Sequence, residues 1–152
     1  MYRMYRLTGL LLSALIGVGA TPPAAFAQSN VEAAQSWGLI GTWRLDCKVP
    51  LSHSNPDLKY VVRDGKLFHD RNFGDTTDSH PVIAATPRPD DLLELIVNFD
   101  EFHETRQYGF VHGGPDRLRA IYNRNVDTGE YSIRDGKVTG NGNPSGWQYL
   151  CD

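Results

Sequence analysis

Two five-residue segments constrain this chain more than anything else in it. Trp43-Arg44-Leu45-Asp46-Cys47 and Trp147-Gln148-Tyr149-Leu150-Cys151 both read Trp, any residue, large apolar, any residue, Cys, and they carry the only two cysteines among 152 residues. On a β-strand alternate side chains share a face, so each segment is expected to set its Trp, its apolar residue and its Cys on one side. A Cys47–Cys151 disulfide would join the first strand to the last across 104 residues. In the chain-entropy account such a loop contributes about 4–5 kcal/mol.

The bond also tests topology. A disulfide needs Cα atoms within about 7 Å. If the terminal strands were antiparallel neighbours in an even-numbered barrel, cysteines at both C-terminal strand ends would sit at opposite rims, about 10–15 Å apart. Three arrangements remain: parallel neighbours in an odd-numbered closure, strands that overlap only near the cysteines, or a tail that folds back. Overlap near the cysteines is the expected one.

The compartment is written at the N-terminus. Arg3 and Arg6 precede an apolar run from Leu7 to Val18, and Ala25-Phe26-Ala27 supplies a small-residue cleavage site. This order predicts a secretory signal peptide over 1–27. The run is short of the roughly 20 residues that span a bilayer, which argues against an anchor. Cleavage leaves a lead-in at 28–38 and a single domain at 39–152. It also takes the 15 basic residues to 13 against 18 acidic ones, so neither nucleic acid nor an anionic membrane is an expected partner. Two cysteines in an exported, periplasmic or secreted chain are most simply a disulfide.

Short strand-like runs fill the domain, at about 40–47, 57–63, 66–73, 80–86, 92–99, 103–112, 117–125, 130–134, 137–140 and 146–151. Gly, Pro, Asn and Asp clusters separate them. Val62-Arg63-Asp64-Gly65-Lys66-Leu67 and Ile133-Arg134-Asp135-Gly136-Lys137-Val138 both place Asp-Gly between apolar alternations, the signal for a tight hairpin. Leu92 to Val97 is too short for a helix and reads as a buried strand. The fold class is all-β, an antiparallel barrel of about eight to ten short strands.

Gly41-Thr42-Trp43 resembles the G-x-W signature of the lipocalins and related calycin barrels. That resemblance implies an up-and-down barrel in which Trp43 closes one end, with Arg119 or Arg124 as the arginine packed on it. The chain is also similar to small exported bacterial proteins that begin with G-x-W and a Cys and end in a Trp segment with a terminal Cys. That likeness implies a periplasmic location and no particular activity.

The five histidines, His53, His69, His80, His103 and His112, form no local metal-ligand pair, and no metal or other cofactor is expected. No G-x-S-x-G motif occurs, and no catalytic residue is assigned. Asp100, Glu101 and Glu104 around Phe102-His103 read as an exposed hairpin tip. More informative is the polar content of faces that carry large apolar residues. Leu67-His69-Arg71-Phe73, Glu104-Arg106-Tyr108-Phe110 and Leu118-Ala120-Tyr122-Arg124 each mix the two. Charge there needs a partner, so Arg71, Arg106, Tyr108, Tyr122 and Arg124 are the candidate lining of a pocket. Trp43 and Trp147 are expected to be structural, filling a barrel end beside the disulfide. The expected function is non-enzymatic binding of a small apolar or amphipathic ligand. The alternative is a protein–protein module, such as a periplasmic inhibitor or envelope-assembly factor, docking through residues 28–38 or the loops at 74–80 and 112–116. A cavity above about 300 Å³ lined by Arg106, Tyr108 and Tyr122 would favour the ligand, and a filled core with an exposed apolar patch on those segments would favour a partner.

Overall fold

A computed structural model describes residues 29–151. The expected signal peptide lies outside the described residues, as does Asp152. The lead-in is an α-helix, α1 (Asn30–Trp37), opened by a capping box: Ser29 Oγ accepts from the Glu32 N–H, and the Glu32 carboxylate accepts from the Ser29 N–H. Gly38 ends it in the left-handed region at φ 86°, where glycine carries no Cβ penalty.

Ten strands follow: β1 (Gly41–Arg44), β2 (Asp57–Arg63), β3 (Lys66–Asn72), β4 (Thr77–Arg88), β5 (Leu92–Phe99), β6 (Glu104–His112), β7 (Arg117–Asn125), β8 (Tyr131–Arg134), β9 (Lys137–Val138) and β10 (Gln148–Cys151). Each of β1 to β7 pairs antiparallel with the next, and β10 pairs with both β1 and β7, so eight strands close a barrel. The β8–β9 hairpin continues the sheet beside β7. As a result β7 changes partner along its length, meeting β10 at Arg117–Leu118 and β8 at Asn123–Arg124. Both Asp-Gly turns are hairpins, with Asp64, Gly65, Asp135 and Gly136 all at positive φ.

The disulfide is present, with Cα atoms 5.7 Å apart, yet its strands are antiparallel neighbours in an even-numbered barrel. The expected strand over 40–47 was too long. β1 stops at Arg44, and the chain folds back so that Cys47 reaches Cys151, which lies opposite Thr42. Asn55 fixes this fold-back. Its amide donates to the carbonyls of Asp46 (3.0 Å) and Val49 (3.1 Å) and accepts from the Asp46 N–H at 3.0 Å. The two matched segments therefore do not share a face. Trp43 is 0% exposed in the core, whereas Leu45 is 44% exposed at the bend and Tyr149 is 39% exposed on the outside. Trp147 does not fill a barrel end either. It lies over Gly113 with the guanidinium groups of Arg117 and Arg119 4.9 and 4.7 Å from its ring.

Along the barrel axis the interior changes character. At the end covered by α1 it is apolar: Ala33, Ala34, Leu39, Trp43, Leu67, Leu93, Leu95 and Leu118 are all buried, and the Trp43 indole donates to the Leu39 carbonyl at 2.7 Å. At the other end the inward positions are Arg71, Asp78, His80, Arg106 and Asn123. Two bulges, in the β4–β5 and β6–β7 pairings, adjust the wall of the closed barrel. In β4 the register shifts between Val82 and Ala84, which leaves backbone groups without ladder partners. The Asn30 side chain serves them, donating to the Ile83 carbonyl and accepting from the Ala85 N–H, each at 3.0 Å.

Candidate functional site

The second bulge decides what the interior contains. β6 pairs Phe110 with Ala120 but Gly109 with Tyr122, so Ile121 is the extra residue in β7. A one-residue insertion moves every later side chain to the other face. Beyond Ala120 the inward residues are therefore Asn123 and Asn125, opposite Tyr108 and Arg106, while Tyr122 and Arg124 stand outside opposite Gly109 and Gln107. The expected face Leu118-Ala120-Tyr122-Arg124 is corrected on this ground. The Tyr122 ring lies flat over Gly109, where a Cβ would come within 2.1 Å of it. Its hydroxyl donates to Glu94 at 2.9 Å. Burial, together with the neighbouring Glu94 charge, pushes the Tyr122 hydroxyl well above its ordinary pKa.

A cavity of about 200 Å³ lies inside the barrel, lined by Leu58 and Tyr60 of β2, His69 and Arg71 of β3, Tyr108 and Phe110 of β6, Ala120 and Asn123 of β7, Ile133 of β8 and Gln148 of β10. Two of the five candidate residues, Arg71 and Tyr108, are brought together there. Arg106 points inward but is committed elsewhere. It pairs with Glu104 at 2.5 Å and donates to Asn123 at 3.1 Å and Ser132 at 3.3 Å.

Arg71 reaches the cavity already paired. Its guanidinium makes two hydrogen bonds to Asp78, at 2.8 and 2.5 Å. Asp78 also lies 3.2 Å from the buried His80 ring. Burial raises the Asp78 pKa, but the Arg71 bonds outweigh it and hold the carboxyl below its usual value. The same guanidinium lies 4.9 Å from the ring of Phe99, a cation–π contact.

His69 is 3% exposed and stacks on Tyr60 with ring centroids 4.7 Å apart. Burial, reinforced by the Arg71 charge, lowers its pKa to about 3, so the ring is neutral at ordinary pH. Burial also raises Tyr108 to about 12 and pushes Tyr60 well above its ordinary value, so both hydroxyls keep their protons. Two polar atoms of the lining, His69 Nδ1 and Gln148 Oε1, are buried without a hydrogen-bond partner.

Tyr60, His69, Asn123 and Gln148 line the cavity beyond the expected residues. His69 and Tyr60 lie on alternations that carried the signal, between Leu67 and Arg71 and between Leu58 and Val62. Gln148 occupies a position that the Trp-x-apolar-x-Cys pattern leaves open, and Asn123 is inward only because of the bulge. Elsewhere, Asp100, Glu101 and Phe102 form an exposed 3-10 turn, and Glu104 is taken up by Arg106 and Asn125. His112 stacks under Trp37 at 3.7 Å at the helix-covered end and contacts Asp91 at 2.8 Å. Among the described residues no group of three or more His, Cys, Asp or Glu side chains is placed to hold a metal ion. No family model matches the chain, and no curated protein or solved structure matches it.

Proposed function

We propose that this protein binds a small amphipathic molecule inside its barrel, without catalysis, after export to an oxidising compartment. The observation that carries the reading is the interior cavity, in which aromatic walls meet a few polar groups, the usual composition of a small-molecule site. At about 200 Å³ it falls below the roughly 300 Å³ that would favour a ligand on size, and of Arg106, Tyr108 and Tyr122 only Tyr108 lines it; this volume limits the ligand to about ten non-hydrogen atoms at organic packing density. The titration behaviour of the lining supports holding rather than reacting. A general acid or base works best with a pKa near the operating pH, and His69 and Tyr108 lie far from it on opposite sides.

The disulfide supports export, because it suits an oxidising compartment. Docking on a protein partner draws less support. Among the described residues the exposed large apolar ones are Leu45, Val49, Ile83, Phe102, Val126, Tyr149 and Leu150, none of them within 29–38, 74–80 or 112–116.

Native mass spectrometry of protein purified from its own compartment tests the reading. The expected result is a noncovalent one-to-one adduct of a small molecule, lost when Ala120→Leu fills the cavity. A stoichiometric protein partner in its place, or an adduct that Ala120→Leu leaves untouched, overturns it.

A further inference from the structure

We infer that the interior ligand is an uncharged ring compound carrying an N–H or O–H donor, gripped by Gln148 Oε1 and His69 Nδ1; the inference rests on the interior-binding reading and names the class of molecule that fits. The first ground is hydrogen bonding. A buried polar atom without a partner is costly, and native interiors contain few of them. Here two occur in the lining of one cavity. The Gln148 oxygen only accepts, so whatever satisfies it must donate. His69 is neutral, so its Nδ1 can accept or donate according to the tautomer, and it accommodates either kind of second group.

Charge supplies the second ground. Arg71 is the only ionised side chain in the lining, and Asp78 neutralises it through two hydrogen bonds. No carboxylate lines the cavity to receive a cation. An anion would have to compete with Asp78 for Arg71, and burial keeps His69 from becoming a second cation. A charged ligand would therefore give up its hydration with no opposite charge free to replace it.

Shape is the third ground. Four of the ten lining residues are ring systems, Tyr60, His69, Tyr108 and Phe110. Tyr108 stacks on Phe110 and Tyr60 on His69, with ring centroids 5.7 and 4.7 Å apart, so the rings hold one another in place around the cavity. A lining this rich in rings favours a ring compound, because edge-to-face and offset ring contacts add to area burial.

Isothermal titration calorimetry on the oxidised, purified protein at pH 7.5 tests this with four probes. Indole is neutral, flat and carries one donor; 1-methylindole lacks only the donor; phenylacetate is an anion of similar size; decanoate is an anionic chain. Indole is expected to bind one-to-one and at least tenfold more tightly than 1-methylindole, with no measurable binding of phenylacetate or decanoate. Gln148→Leu is expected to abolish the preference for indole over 1-methylindole, and His69→Phe, which keeps a ring in place, to preserve it, because indole has no second polar group for Nδ1. The comparison of the two indoles on the unmodified protein stands even if a variant fails to fold.

Equal affinity for indole and 1-methylindole overturns the donor requirement. Tighter phenylacetate or decanoate binding that Ala120→Leu abolishes overturns the ligand class while leaving the interior site standing. Indole binding that Ala120→Leu does not change overturns the interior site itself. Binding of none of the four at millimolar concentration overturns the class as stated, and the co-purified adduct then decides the interior site separately.

Discussion

The two ends of this barrel are built from the same strands and obey different physics. At the end under α1, Trp43, Leu39, Leu67, Leu93, Leu95 and Leu118 are closely packed and fully buried or nearly so. At the other end Arg71, Asp78, His80, Arg106, Glu104 and Asn123 occupy inward positions and satisfy one another through ion pairs and hydrogen bonds. The cavity lies where the apolar packing gives way to the polar network, with Phe110 and Ala120 toward one side and Arg71 and Asn123 toward the other. Stability is therefore expected to come chiefly from the apolar end, and binding specificity from the boundary.

The most forceful way to break that division is at the apolar end. Trp43→Ala should cost about 3–5 kcal/mol, because a fully buried indole is replaced by a void and its bond to Leu39 is lost. Guanidinium unfolding reads this as a large fall in the midpoint. A cost below about 1 kcal/mol would mean that this end does not anchor the barrel.

At the polar end the expected loss is smaller and can be repaired. Arg71→Met leaves Asp78 with the His80 ring alone and should cost about 2–3 kcal/mol, less than for a fully buried pair because the Arg71 and Asp78 side chains are 22% and 12% exposed. Adding Asp78→Leu should recover most of that loss, since removing both charges also removes the desolvation cost. A double variant less stable than either single one would show that the pair is indispensable to folding.

The boundary itself should respond to pH. Folded His69 titrates at about 3, while in the unfolded chain it titrates near 6.5. Below 6.5 the unfolded state takes up a proton that the folded state refuses, so stability falls as pH falls. Between pH 7.5 and pH 5 that one residue should remove about 2 kcal/mol. The carboxylates of Asp70 and Asp78, held low in the folded state, add their own loss only at more acidic pH. Unfolding curves at several pH values should show the slope, and His69→Phe should flatten it. An unchanged slope in that variant would assign the effect to other groups.

The same contrast explains how much could be read from the sequence. Alternation of apolar residues marks the strands and the apolar end directly: Leu93, Leu95, Val97 and Phe99 face inward at every second position, and both Asp-Gly turns are hairpins. Arg71 and Tyr108 were recognisable for the same reason, as polar members of a face whose other residues are buried. Tyr122 and Arg124 were misplaced because alternation assumes an unbroken register, and the bulge at Ile121 breaks it. Nothing in the local composition announces that break except Gly109, the residue on which the displaced Tyr122 ring comes to lie. Gln148 was obscured by the very motif that contains it. The pattern sets Trp147, Tyr149 and Cys151 on one face without saying which, and that face is the outer one, so Gln148 faces the cavity.

The Cys47–Cys151 bond gives the domain a property that no single strand pairing could. Its two ends are joined within a few residues of where the barrel wall closes, so the chain from Cys47 to Cys151 forms one covalent ring. A peptide bond cut anywhere in that ring, at the exposed turn of Asp100–Phe102 for example, yields two pieces that remain a single molecule of unchanged size until the sulfurs are reduced. Wherever a protease reaches it, a cut that would otherwise release a fragment becomes a nick whose two sides stay tethered for re-pairing.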